Sequence, residues 1–156
     1  MDTLKSISLL RKERELILSG VGSLSDDQFL RIPVGFKNNI LWNLGHIIIT
    51  QQVLYYTLSR LETHIPKELI SQFRTGTSPA SWVSPPGIQM MKELLVSLPE
   101  KAIEDYSNGK FREFRPYTTS TGVQLSSFEE AVTFNHFHEG VHTGIVLSIK
   151  KLVSDQ

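Results

Sequence analysis

Between Asn38 and Leu61 the chain reads NNILWNLGHIIITQQVLYYTLSRL, its most apolar segment, and no proline interrupts it before Pro66. Asn38 or Asn39 can cap the first free amides, so the run predicts a long helix, and its apolar content predicts a buried one. A buried helix needs others packed around it. Three further stretches have helical length: about Thr3 to Val21, from near Ser84-Pro85-Pro86 to about Tyr106, and Ser127 to about Val153. In the first, Leu4, Ile7, Leu10, Ile17 and Val21 recur near helical spacing, with the run Arg11 to Glu15 (RKERE) as a mixed-charge solvent face. Pro99 lies inside the next and predicts a kink or a break into two helices. The last opens on Ser127 and Glu130 at capping-box spacing and ends near Lys150 and Lys151, where positive charge suits the helix dipole.

The connections are rich in Gly, Pro, Ser and Thr. Gly20 and Gly22 read as a stop, followed by SDDQFLRIPVGFKNN as a mostly polar connection. A short helix is expected in PKELISQFRTG, with Pro66 suited to its first turn and Gly76 to its end. TSPASWVSPPG reads as a loop, and NGKFREFRPYTTSTGVQLSS as a long connection, either a loop over the bundle end or a short hairpin. Without a convincing strand series, the expectation is an all-α four-helix bundle, one domain over residues 1–156. The long connections leave room for threading other than up-down-up-down.

Composition removes several function classes. Sixteen Lys+Arg against sixteen Asp+Glu leave a formal charge of zero, which argues against nucleic-acid binding. Zero Cys excludes a disulfide framework, a Cys-based zinc site and a Cys nucleophile from this chain. No apolar run approaches a membrane span, and MDTLKSISLLRKEREL lacks the apolar core of a secretory signal, so a cytoplasmic location is expected. The five His are then the natural transition-metal ligands.

Three of them fall in FNHFHEGVHTG. His138 and His142 are one helical turn apart and can face one ion, whereas His136 points roughly 140° away from the line between them. Ala131, Ile145 and Ile149 project to the same side as the pair and mark it as buried. Alone the pair is a weak signal, since randomly placing this many His yields one in about one sequence in eight. HEGVH also matches the H-E-x-x-H protease pattern, but there is no downstream third His and no strand series to support it. Glu139, the nearest acid, projects about 80° from the ligand line and is a poor general base.

The third ligand is sought upstream, at His46 in WNLGHIIIT. Asn39, Asn43, Thr50, Val53 and Thr57 project to its side, and polar residues along one side of a buried helix suggest a cavity. Gly45 allows another group to approach closely. His46, His138 and His142 form a facial three-nitrogen set suited to zinc, nickel or another late first-row ion. Asn43 and Asn135 lie on the correct sides to orient a ligand, and Glu139 is expected with them beside the ligands or facing the substrate. His136 is expected at the surface or an interface, His64 in a loop, and Trp42 and Tyr56, which project close together, in the core or an interface. Arg112, Arg115, Tyr117, Thr118, Thr119 and Ser120 offer an anion anchor, though a solvated loop is the favoured reading.

These segments resemble the DinB/YfiT-like superfamily over most of the chain. NNILWNLGHIIITQQVLYY is similar to that family's second helix, which carries the first metal-ligating His, and FHEGVHTGIVLSIKKL to its last, whose H-x-x-x-H supplies two more. The resemblance implies His46, His138 and His142 as a metal triad in a four-helix bundle threaded up-down-down-up. It also implies nickel or zinc, frequent homodimers, and activity as a metal-dependent hydrolase or a transferase using a low-molecular-weight thiol on a small molecule. The rival expectation is a non-catalytic dimeric module that binds a ligand or partner, with a structural or vestigial metal.

Overall fold

The computed structural model describes residues 2–154; Met1, Asp155 and Gln156, the ends of the expected domain span, lie outside the described residues. Helix α1 spans Thr3–Val21, as the periodicity predicts, and Asp2 caps it by accepting the Leu4 amide. The expected polar connection is corrected at its centre, where α2 (Asp26–Leu30) forms. Ser25 Oγ accepts the Gln28 amide and Gln28 accepts the Ser25 amide, so a capping box starts a helix that Phe29 then buries. Helix α3 (Ile40–Gln52) begins at Asn39, whose Oδ1 accepts the Trp42 amide at 2.8 Å.

The expected α-helix to Leu61 is also corrected. After Gln52 the chain makes a π turn, Val53–Thr57, and ends where Arg60 takes a left-handed φ of 58°. Each extra residue per turn rotates the later side chains away from an α projection. Thr57 is therefore exposed and absent from the cavity wall that His46, Thr50 and Val53 share, and Leu54 takes its place.

Helix α4 (Lys67–Phe73) follows Pro66, and a single 3-10 turn at Pro79–Ser81 interrupts the next loop. Helix α5 (Ile88–Ser107) starts after Gly87, later than the prolines suggested, and runs unbroken through Pro99. The long connection forms the hairpin: β1 (Tyr117–Thr118) pairs antiparallel with β2 (Gln124–Leu125). Helix α6 (Phe128–Ser154) closes the chain. Ser127 Oγ accepts the Glu130 amide at 3.2 Å, and the Glu130 carboxylate accepts the amide of Ser126, one residue further back than a regular capping box.

The four long helices pack as a square: α1 touches α5 and α6, and α3 touches the same two. Their apolar faces make two compartments. One contains Ile17, Ile47, Leu95 and Ile149; the other contains Ile7, Leu10, Leu54, Ala102 and Ala131. Between them in sequence along the helices lie buried Arg14, Gln51 and Glu139. Arg14, placed by sequence on a solvent face, is fully buried. It occupies the position between Leu10 and Ile17 in the inward stripe, so helical geometry overrides its charge.

From α1, its guanidinium reaches the other three long helices. It pairs with Glu139 of α6, donates to Gln51 Oε1 at 3.1 Å and the Ile47 carbonyl at 3.4 Å in α3, and donates to the Leu95 carbonyl of α5 at 3.3 Å. Pro99 has no amide proton for that carbonyl four residues earlier. Arg14 supplies the missing donor.

Candidate metal centre

His46 comes from the middle of α3, His138 and His142 from successive turns of α6, and the packing of α3 on α6 brings them together. One potential ligand atom from each lies within 4.8 Å of the others. The rings themselves sit 4.6 to 5.0 Å apart between centroids.

Each ring is oriented by its neighbours. His46 Nδ1 donates to the Phe73 carbonyl at 2.7 Å, which leaves Nε2 with a free lone pair. Phe73 reaches this position because Gly45 has no Cβ; one built there would stand 2.3 Å from the Phe73 ring. Trp42 stacks on His46 with centroids 4.9 Å apart and planes at 9°. The Trp42 indole in turn donates to Thr77 Oγ1 at 3.0 Å. His142 Nδ1 donates to Asn43 Oδ1 at 2.8 Å, while Asn43 Nδ2 donates to the Asn39 carbonyl at 2.8 Å. Asn43 thereby fixes the tautomer of one ring.

Burial keeps all three imidazoles neutral. It lowers the pKa of His46 below the usual histidine range. Burial, reinforced by the neighbouring rings, lowers His138 to about 3 and His142 to about 4. Neutral rings present lone pairs, the form in which histidine binds a metal. His138 supplies a second sign of fit: its buried Nδ1 has no hydrogen-bond partner among the described residues. An orphaned buried ring nitrogen costs free energy that a cation or an ordered water can offset. The donor set therefore suits a divalent ion.

Glu139 and Asn135 face elsewhere. Glu139 is buried in the Arg14 pair, and Asn135 Nδ2 donates to its Oε1 at 2.9 Å. Neither lines the histidine cavity. The projection that makes Glu139 a poor base turns it toward Arg14, whereas the expectation for Asn135 is corrected: the buried Glu139 carboxylate takes its amide away from the histidine side.

His136 is largely enclosed between α6 and α1. Its Nδ1 donates to Glu13 at 3.0 Å, and its Nε2 lies 2.9 Å from Ser6 Oγ and 3.0 Å from the Ser6 carbonyl. The Glu13 carboxylate is the main cause of its raised pKa. His64 is in a loop, with Nε2 held 2.9 Å from Asp105. Tyr56 also donates to Asp105, at 3.0 Å; it and Trp42 are both buried, in different compartments of the core.

The triad opens into a cavity of about 590 Å³. Ile49, Val53, Leu54, Ile70, Phe134 and Phe137 make its apolar wall, while Thr50, Thr75, Thr119, Ser120 and Thr121 contribute hydroxyls. The hairpin connection is thus a wall of the site as well as a surface element. Tyr117, Thr119 and Ser120 reach the cavity, but Arg112 and Arg115 do not; the arginine on its wall is Arg74. Nothing in the periodicity pointed to Arg74, which lies just past the end of α4. A second cavity of about 530 Å³ shares Phe134 and Phe137 with the first but contains no histidine.

No helix among the described residues is long and apolar enough to cross a membrane. The family model described as the DinB superfamily matches residues 9–146, a span that includes Arg14, Glu139 and all three histidines of the cluster. No curated protein matches the sequence.

Proposed function

The chain belongs to the DinB superfamily, and from that premise we propose that it is a metal-dependent enzyme acting on a small molecule in the histidine cavity. The observation that carries this reading is the convergence of His46, His138 and His142, with ligand atoms within 4.8 Å, on one half-open cavity. These three residues would hold the ion, with zinc or nickel the preferred candidates for an all-imidazole set. When bound, such an ion supplies Lewis acidity toward a substrate oxygen or sulfur.

The chain's own residues supply positioning. Phe73 and Asn43 hold two of the rings in the tautomer that leaves Nε2 free. The apolar wall excludes water around the reacting group, and the hydroxyls can orient its polar substituents. Among the residues lining this cavity, none is a carboxylate. A water held at the ion would serve hydrolysis and a low-molecular-weight thiol would serve transfer; each must first give up a proton, which in either case passes to solvent since no carboxylate lines the cavity. The thiol must come with the substrates, since the chain has no Cys.

Elemental analysis of protein purified without a polyhistidine tag tests the metal site. Near-stoichiometric zinc or nickel, lost in His138→Ala, is expected. Less than about a tenth of an equivalent, unchanged after reconstitution, would overturn the reading. If metal binds and its removal lowers the melting temperature but neither hydrolytic nor thiol-dependent turnover can be detected, the non-catalytic module is the better account.

A further inference from the structure

The wall of the histidine cavity is asymmetric in charge. Arg74 is its one charged side chain, and Arg74 is exposed with no ion pair among the described residues. The adjoining wall offers the hydroxyls of Thr50, Thr75 and Ser120, which also have no hydrogen bond among the described residues. Glu129 and Glu130 line the neighbouring cavity instead. Depth is graded as well: Arg74, Thr75 and Ser120 are exposed, His46 and Leu54 are buried, and the apolar side chains complete the wall.

We infer that this cavity selects an amphipathic anion, with a carboxylate or phosphate received by Arg74 and the hydroxyls at the rim and an apolar portion reaching toward the histidines. A guanidinium bonds both oxyanions through paired N–H groups, and free hydroxyls add donors without adding charge. A cationic ligand finds no carboxylate on this wall. The inference names the substrate class for the metal site proposed above and rests on that reading only for where reaction occurs.

Calorimetric titration with octanoate, octyl phosphate, 1-octanol and octyltrimethylammonium tests it, using the full chain both stripped of metal and loaded with Zn(II). In the stripped protein both anions are expected to bind in preference to the alcohol and the cation. Arg74→Gln should weaken the anions about tenfold or more and leave the alcohol unchanged. The ratio of octanoate to octyl phosphate affinity distinguishes the two headgroups. Anion binding unaffected by Arg74→Gln, or a cation bound as tightly as the anions, would overturn the inference. Arg74-dependent anion selectivity in a protein that takes up no metal would support the inference while removing the metal reading. Metal uptake without anion selectivity would do the reverse. Circular dichroism of Arg74→Gln, whose changed side chain is exposed, checks that the fold is retained.

Discussion

Arg14 and Glu139 meet inside the bundle with Nη2 2.6 Å from Oε1 and Nε 2.9 Å from Oε2, and neither side chain is more than 1% exposed. Removing two charges from water is costly, so the pair is tolerated because its remaining donors and acceptors are also used. Gln51, Asn135 and the carbonyls of Ile47 and Leu95 provide those partners.

Arg14→Met leaves a carboxylate buried without its cation and is expected to lower the unfolding free energy by about 3–5 kcal/mol. The double variant Arg14→Met, Glu139→Leu should recover much of that loss. Urea denaturation of both single variants and the double gives the coupling energy. Equal losses in single and double variants would show that the pair itself is not what matters.

Gly45→Ala places a methyl group 2.3 Å from the Phe73 ring, within a packed core. Either Phe73 or α3 must shift, with an expected cost of about 1–3 kcal/mol. The Phe73 carbonyl that orients His46 moves with its residue, so zinc affinity should fall together with stability. Thermal melting and zinc competition against a chromophoric chelator measure the two effects; unchanged affinity would uncouple Phe73 from the site.

Asn43→Ala removes the acceptor for His142 Nδ1 while leaving all three imidazoles in place. Loss of such an orienting contact is expected to weaken metal binding about 10- to 100-fold. The same competition assay reads it, with metal-free stability measured alongside. A stability loss with full metal affinity would make Asn43 a helix-packing residue only.

The pH dependence of stability should include Asp105. Burial alone raises its pKa, but hydrogen bonds from Lys110, His64 and Tyr56 together overcome this and hold it at about 2, below the usual 3.8. A depressed carboxylate contributes stability that is complete above the unfolded value and is lost as pH falls from about 4 toward 2. Asp105→Asn should therefore flatten the acid limb in that window and destabilise the protein at pH 7. Unfolding curves at a series of pH values provide the test, and an unchanged acid slope would remove Asp105 from the account.

Several elements were readable from local pattern. The span of α1, the Asn39 cap, and a helix beginning after Ser127 all follow from periodicity and short-range hydrogen bonding. His138 and His142 share a face through helical geometry alone, and the apolar surroundings of His46 mark it as the partner to seek. Helix α2 also had a local signal, Ser25 and Gln28 at capping-box spacing.

Other features depended on contacts between distant segments. The empty place in the α1 apolar stripe between Leu10 and Ile17 was visible, but its occupation by Arg14 makes physical sense only when Glu139 arrives from α6. Pro99 marked a broken backbone bond, and only packing against α1 could supply Arg14 as the replacement donor. The π turn after Gln52 changed which side chains face the cavity, and Arg74 joined them from beyond α4. The sequence by itself determined the approximate spans of the four long helices and the shared face of His138 and His142, because those depend on spacing of a few residues. Tertiary structure alone decided which buried charges are neutralised and which hydroxyls and cation surround the histidines. Those outcomes depend on the distance between segments far apart in the chain, which no local periodicity contains.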